Sequence, residues 1–237
     1  MSAYFRRQRS AVLARVNGTA KAWRSKNLSA ASDPLDLPEW NRRLAETIAP
    51  VLEATVQDGG AQALDQLGLS ISFDLRDPDA EAWLASKEQT FARQINDTTW
   101  QDLRASLTVG LSNGEGVPEL MNRVRDVFAM YADYRVERIA RTEVVGASNA
   151  GGYLAAIQSG QVATKSWLAA LDDRTRASHI AAHNQTVDLE ADFVVGGVRG
   201  PVPHQIPAAK EVVNCRCTVI YNLREQRPVT QLPMARP

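Results

Sequence analysis

The chain has 237 residues, of which 44% are hydrophobic and 23% are charged, with 27 basic and 27 acidic side chains. This composition is typical of a globular protein with one or two domains, and it excludes collagen-like, low-complexity and acidic disordered chains. No apolar run approaches the roughly 20 residues that cross a bilayer. The basic N-terminus lacks the apolar core and cleavage site of a signal peptide. We therefore expect no membrane partner, and synthesis and assembly in a cytoplasm.

Basic side chains are concentrated in the first 28 residues, which contain no acid. They are Arg6, Arg7, Arg9, Arg15, Lys21, Arg24 and Lys26, so the rest of the chain carries 20 basic and 27 acidic residues. Apolar residues between Tyr4 and Trp23 lie at loosely helical spacing. This predicts a basic amphipathic helix or arm over residues 1–30 that packs only against a partner. Double-stranded DNA or an acidic protein surface fits the charge, and the alternative is a solvated helix face.

Residues 31–109 are predicted to form a helical docking region. Apolar periodicity predicts helices over Glu39 to Gln57 and Ala61 to Leu67, with a break at Asp58-Gly59-Gly60 and a kink at Pro50. A further helix is expected to open at Asp77-Pro78-Asp79, where acidic residues suit the positive end of a helix dipole.

Residues 110–225 are predicted to form a second unit in which helices give way to strands. A helix is expected from Pro118, followed by Asp133 to Gly160 as one long helix or as two broken near Gly151-Gly152. Short β-prone runs then alternate with turns at Thr164 to Leu168, Phe193 to Val195 and Thr218 to Tyr221. The predicted fold class is α+β, with a mostly helical N-terminal half, a small α+β domain with a short β-sheet, and a flexible tail at 226–237.

Four motifs follow one another in this second unit. They are Gly110-Leu111-Ser112 before a helix at Val117 to Phe128; Arg138-Ile139-Ala140-Arg141-Thr142-Glu143 with Asn149 and Gly160 downstream; Trp167-Leu168 and Asp172-Asp173-Arg174-Thr175-Arg176-Ala177-Ser178-His179; and Asn214-Cys215-Arg216-Cys217. In this order and register, they resemble the Mu F-like domain of tailed-phage minor head proteins, with the resemblance strongest from Arg135 to Leu223. Where that family usually has a glycine after the histidine helix, this chain has Asn184. Asparagine tolerates left-handed backbone, so we expect the helix end to be kept.

The resemblance implies a non-enzymatic head morphogenesis protein in the interior of a virion or procapsid. It implies the portal protein as a partner, with the major capsid protein, a scaffold protein and packaged double-stranded DNA as further candidates. Two other classes stay open: an enzyme, either an ADP-ribosyltransferase or a metal-dependent hydrolase, and the delivery module of a phage-derived toxin. Only 14 residues follow Leu223, so toxin activity would have to lie in the helical half, where we find no catalytic signature.

Two histidines and the two cysteines form a candidate metal site. His179 and His183 are four residues apart, so on one helix their rings would face the same side. Cys215 and Cys217 would share one face of a strand, which suits a common ligand better than a disulfide. Two imidazoles and two thiolates are a set that zinc favours, with His204 as an alternative nitrogen ligand. We favour an interpretation without a cofactor, in which reduced thiols pack in or beside the core and His179 bonds backbone near them, and structural zinc is the alternative.

The charged residues of the motifs are interpreted as a structural core. We expect Arg141 and Glu143 to hold the long helix to the Asp172–Arg176 turn through ion pairs, rather than to act in catalysis. The arginines of the turn and of the cysteine motif would either line a phosphate-binding surface or be neutralised by the neighbouring aspartates. The predicted structural core consists of Arg141, Glu143, Trp167, Asp172, Arg174, Arg176, Asn214 and Arg216.

Overall fold

The computed structural model describes residues 2–18, 36–130 and 134–224. Its fold is α+β, as the sequence predicts. The first half contains α1 (Ser2–Gly18), α2 (Leu37–Gln66), α3 (Pro78–Ser112), α4 (Val117–Ala129) and α5 (Tyr134–Ser159). The second half contains β1 (Val162–Leu168), α6 (Ala177–Ala182), β2 (Thr186–Asp188), β3 (Phe193–Val195), β4 (Val198–Gly200), α7 (Ala209–Val212) and β5 (Thr218–Leu223). Within these described ranges, no helix is long and apolar enough to span a membrane.

Two of the long helices begin where the sequence supplies a carboxylate and an early proline. Asp36 accepts a hydrogen bond from the Glu39 N–H at 3.4 Å ahead of α2, and Asp77 accepts one from the Asp79 N–H at 3.0 Å ahead of α3. A proline occupies one of the first two helical positions in both. Such residues satisfy or remove N–H groups that have no partner inside the helix. The helix start expected at Asp77-Pro78-Asp79 is confirmed.

The glycine pairs in α2 and α5 do not break either helix, so the break expected at Asp58-Gly59-Gly60 is wrong. The two helices instead cross at these glycines. A Cβ on Gly59 would lie 2.4 Å from the Ser148 carbonyl oxygen, and one on Gly151 would lie 2.0 Å from the Val56 carbonyl oxygen. Only a residue without a side chain permits such close contact between the two backbones. This contact offsets the weak helix propensity of glycine.

The first helix packs on the chain's own core, which corrects the expectation that it packs only against a partner. Tyr4, Phe5, Val12 and Val16 are at most 5% exposed and belong to one cluster with residues of α2, α3 and α4. The opposite face of α1 carries basic residues: Arg6 and Arg7 are exposed, Arg9 is half-buried, and Arg15 lies 3.8 Å from Asp36. Lys21, Arg24 and Lys26, also predicted as contact residues, lie outside the described residues.

The strands form a three-stranded antiparallel sheet in the order β2-β1-β5 and a separate β3–β4 hairpin. The three predicted strands are confirmed as β1, β3 and β5, and β1 is central because its Ser166 lies opposite both Thr186 and Ile220. The hairpin turn places Gly196 and Gly197 at φ values of 57° and 79°. Positive φ angles at two central residues are typical of the type I′ turn, whose twist matches that of the flanking strands.

A second core lies between the sheet and the hairpin. It contains Trp167, Ala169, Ala182, Phe193, Val195, Val202, Ile206, Cys215, Cys217 and Val219. The cysteines are only 1% and 2% exposed. Polar groups beside them must therefore find partners within the protein, because burial without a hydrogen bond costs free energy.

Candidate functional site

One histidine and both cysteines meet in the second core. The Nδ1 atom of His179 lies 3.2 Å from the Sγ of Cys217 and 3.6 Å from the Sγ of Cys215. All three ligand-type atoms lie within 4.8 Å of one another, and the three side chains are each at most 2% exposed. We call these three residues the His-Cys-Cys cluster.

His183 does not belong to this cluster, so the four-residue metal set predicted from the sequence does not assemble as such. The helix α6 ends at Ala182, and His183 has a non-helical ψ of 131°. Four-residue spacing aligns side chains only within a continuous helix. The Nδ1 atom of His183 instead accepts a hydrogen bond from the Ala169 N–H at 3.2 Å.

The helix end itself follows the expectation for Asn184. This residue adopts φ 64°, the left-handed geometry that asparagine tolerates best after glycine. Its N–H donates to the Trp167 carbonyl at 2.9 Å, which ties the end of α6 to the sheet. The strand and the short helix thereby hold His179 in the core.

Glu211 is a fourth residue of this site, and no pattern in the sequence points to it. Its Oε2 lies 3.1 Å from His179 Nε2 and accepts a hydrogen bond from the Ser178 hydroxyl at 2.8 Å. Burial alone would raise the pKa of Glu211, but the hydrogen bonds from Ser178 and His179 outweigh it and lower that pKa. The carboxylate is 32 positions from His179 and lies on the four-residue helix α7. No pattern of sequence spacing predicts a contact between positions this far apart.

Side chains from elsewhere fix the backbone around the two cysteines. Asn149 of α5 donates to the Cys217 carbonyl at 3.0 Å, and the Nε2 of His204 lies 3.1 Å from the Cys215 carbonyl. His204 therefore supports the backbone of the loop that carries Cys215 and Cys217, here called the cysteine loop, rather than facing the sulfur atoms. Burial lowers the pKa of His204 to about 4, so its ring is neutral at physiological pH. Asn149 and His204 thus fix the position of the cysteine loop beside α5.

The thiols of the cluster differ in acidity. A hydrogen bond from the Cys215 thiol lowers the pKa of Cys217, although burial opposes this, and His179 lowers it further. The same thiol pairing raises the pKa of Cys215. Of the two thiols, Cys217 is therefore the one that ionises more readily.

A thiolate, an imidazole and a carboxylate in a row also make up the parts of a nucleophile, base and orienting group. Here Cys217, His179 and Glu211 are 2%, 2% and 4% exposed. The Trp167 ring system packs against the imidazole in an edge-to-face arrangement, with ring centroids 5.6 Å apart. A nucleophile must reach its substrate, and this sulfur is enclosed. The arrangement suits binding of a small ion better than acyl transfer.

The turn before α6 is held by an ion pair. Arg216 donates through both terminal nitrogens to the two carboxylate oxygens of Asp172, a paired geometry that only arginine provides. The hydrogen bonds from Arg216 lower the pKa of Asp172 well below its usual range. Arg176 donates to the Val213 carbonyl, and Arg174 is exposed with its guanidinium 3.9 Å from Asp172. The arginines are thus largely occupied by protein acceptors, as expected of neutral pairing rather than of a phosphate surface.

Arg141 and Glu143 do not contact this turn, which corrects the expectation from their motif. Arg141 pairs with Glu137 one turn earlier on α5, and Glu143 pairs with Lys87 of α3 at 2.7 Å. The residue between them makes the connection, because the hydroxyl of Thr142 accepts the Asn214 N–H at 3.0 Å. Asn214 itself has φ 58°, so the chain turns sharply there.

The sequence is similar to known proteins over its C-terminal half. Residues 101–220 match the family described as Phage Mu protein F like protein. The chain is 31% identical over 131 residues to the minor head protein GP7 of Bacillus phage SPP1, covering 54% of this chain and 42% of that protein. It is also 31% identical over 131 residues to the NAD(+)--arginine ADP-ribosyltransferase EFV of Enterococcus faecalis, covering 54% of this chain and 26% of that protein. The chain thus spans less than half the length of both relatives. No solved structure matches.

Proposed function

The chain belongs to the Phage Mu protein F like family, and on that premise we propose that it is a minor head protein of a tailed phage or phage-like particle. The observation that carries this proposal is the similarity to the SPP1 minor head protein together with the family match over half of the chain. The second core is closed, and the charged residues of the motifs pair with other residues of the same chain. Both features agree with a structural role.

The finer part of the proposal is attachment to the portal protein inside the procapsid, during assembly in the host cytoplasm. The basic face of α1 supplies the contact surface, because Arg6 and Arg7 are exposed while the opposite face is buried. That face would meet either an acidic portal surface or packaged double-stranded DNA. We propose the major capsid protein and a scaffold protein as further partners of the same face.

Co-expression with the portal protein from the same genome tests the attachment. We expect a tagged chain to retain the portal protein through size-exclusion chromatography at moderate salt, and the double variant Arg6→Gln/Arg7→Gln to retain less. Failure of the unchanged chain to co-purify with either the portal or DNA would contradict the proposal.

A fluorescence titration with duplex DNA separates the two partners of the α1 face. If DNA is the partner, affinity falls steeply with salt, because each neutralised phosphate releases counterions, and the double variant has a shallower salt slope. DNA binding that is insensitive to salt would exclude this face as a DNA contact and leave the portal as its partner.

We further propose that the chain has no ADP-ribosyltransferase activity, although one relative carries that name. The matched residues make up only 26% of that protein. The arginine and glutamate that suggest such chemistry, Arg141 and Glu143, are engaged in ion pairs with Glu137 and Lys87. Incubation with NAD and an arginine-containing acceptor should release no nicotinamide above the level of a heat-denatured control. Sustained release would assign the activity to this chain.

A further inference from the structure

The His-Cys-Cys cluster has the geometry of a metal site rather than that of a hydrogen-bonded triad alone. A zinc ion bound at about 2.3 Å from sulfur and about 2.0 Å from nitrogen separates neighbouring ligands by roughly 3.5 Å. The two nitrogen–sulfur distances, 3.2 and 3.6 Å, bracket that value. Small adjustments of three side chains would therefore admit the ion between them.

The position of Glu211 supplies the second observation. Its Oε2 lies 3.1 Å from His179 Nε2, on the ring nitrogen that faces away from the sulfur atoms. When Nε2–H donates to the carboxylate, the lone pair of Nδ1 is directed at the sulfur atoms. Metal-ligating histidines characteristically donate their other N–H to a carboxylate, which fixes the tautomer and makes the ring a better ligand.

The charges and the backbone contacts of the His-Cys-Cys cluster also favour a metal ion. Two thiolates would balance the double charge of the ion, and the buried carboxylate of Glu211 lies 3.8 Å from the ammonium of Lys210, which offsets its charge. The Cys217 N–H lies 3.4 Å from the Cys215 Sγ and favours a charged sulfur. The carbonyls of both cysteines are held by Asn149 and His204, so the ligands are positioned before any ion binds.

We infer that the protein binds one zinc ion through His179 Nδ1, Cys215 Sγ and Cys217 Sγ, with Glu211 as the carboxylate that orients His179. Zinc is the ion of choice because thiolates and imidazole together suit it better than they suit magnesium or calcium. His183 is engaged with the Ala169 N–H and supplies no fourth ligand. The ion would tie α6 to the cysteine loop and so act as a structural bond across the second core.

The test is elemental analysis and cobalt substitution of the full chain, purified without chelators from zinc-supplemented medium. We expect one zinc per chain, and in the cobalt form a sulfur-to-cobalt charge-transfer band together with the visible bands of a tetrahedral site. The zinc content and the cobalt spectrum are measured on the unchanged protein and need no variant. Less than a tenth of a zinc per chain, or a cobalt spectrum without the sulfur band, would overturn the inference.

Three variants test the assignment of residues. Cys217→Ser should lose the zinc, and Glu211→Gln should keep one ion at saturation but bind it about 10- to 100-fold more weakly. The matched control is His183→Gln, which alters the neighbouring histidine and should retain full zinc content. Zinc retained by Cys217→Ser, or lost from a folded His183→Gln protein, would contradict the assigned ligands.

Discussion

Lys165 is a cation buried among aromatic rings. It is 0% exposed, and its Nζ lies 4.3 Å from the Tyr153 ring centroid and 5.4 Å from that of Phe193. Among the described residues, no hydrogen-bond acceptor reaches this nitrogen. Burial lowers the pKa of Lys165 from 10.5 to about 8, although Asp192 opposes the shift. The rings stabilise the ammonium only in part, because cation–π attraction is weaker than the hydration it replaces.

We predict that Lys165→Met stabilises the protein at pH 7 and that the gain shrinks as the pH rises. Between pH 8 and 10.5 the unfolded lysine holds a proton that the folded one has released. The free energy of unfolding of the unchanged chain therefore rises through this window, by at most about 3 kcal/mol. Denaturant titrations of both proteins from pH 7 to 10.5 measure the difference. A gain that stays constant over this range would show that the lysine does not titrate there.

At the scale of elements, the crossing of α2 and α5 depends on glycine. A Cβ on Gly151 would lie 2.0 Å from the Val56 carbonyl oxygen, whereas one on the adjacent Gly152 would meet side-chain atoms at 3.4 Å. The two positions belong to the same helix. They therefore share the gain in helix propensity that alanine brings, about 1 kcal/mol, and differ in the contact.

We predict that Gly151→Ala lowers the free energy of unfolding by roughly 2 to 3 kcal/mol, because backbone atoms of α2 must move. Gly152→Ala is the matched control and should stay within about 1 kcal/mol of the unchanged protein. Thermal and denaturant unfolding followed by circular dichroism measures both. Equal effects of the two substitutions would mean that the helices do not approach as closely as described.

A buried polar network joins α1 to the helices beneath it. Asn96 of α3 accepts hydrogen bonds from the Tyr4 hydroxyl at 2.7 Å and from Gln8 at 3.0 Å, and donates to Asn41 at 2.7 Å. Asn96 and Gln8 are both 0% exposed. Donors that lose a partner at such a position cannot turn to water, so the network specifies where α1 docks.

We predict that Asn96→Ala costs about 2 to 3 kcal/mol of unfolding free energy, since it leaves the Gln8 amide without its acceptor. The amides of α1 should also exchange with solvent faster than in the unchanged chain. Hydrogen exchange with mass spectrometry measures this, with Gln94→Ala on the exposed side of α3 as the control. Unchanged protection of α1 in the Asn96 variant would show that apolar contacts alone hold the helix.

The elements were predictable from the sequence to different degrees. Apolar periodicity identified α3, α4 and α5, and β-prone runs identified β1, β3 and β5, because these signals are local. The continuity of α2 through Gly59-Gly60 was not predictable. A glycine pair signals a break unless the helix that fills the gap, here α5, is known.

The candidate site shows the same limit. The motifs indicated His179, Cys215 and Cys217, which the fold brings together. Four-residue spacing predicts that His183 faces the same side as His179, but α6 ends at Ala182, and the sequence specifies helix ends poorly. No sequence pattern points to Glu211, because its contact with His179 joins positions 32 residues apart. Its position follows only from tertiary packing.

At the scale of the whole molecule, the family match and the packed cores do not coincide. The match begins at residue 101, inside α3. Yet Ala147 and Leu154 of α5 pack in a cluster with Leu52 and Val56 of α2, which lies outside the match. A segment cut at residue 110 would expose this apolar surface to water.

We predict that residues 110–225, expressed alone, form a less stable and more aggregation-prone protein than the full chain, because burial of apolar area is the main stabilising contribution. Circular dichroism melting and light scattering measure this, with the full chain as the reference. A fragment that melts cooperatively at the temperature of the full chain would show that the helical half adds nothing to the stability of the second unit.

A minor component of a phage head must be present in purified particles in few copies. Quantitative mass spectrometry of purified procapsids and mature virions counts copies of the chain relative to portal subunits. We expect a low and reproducible ratio in both particles. Absence of the chain from both would contradict the claim and leave a role outside the particle.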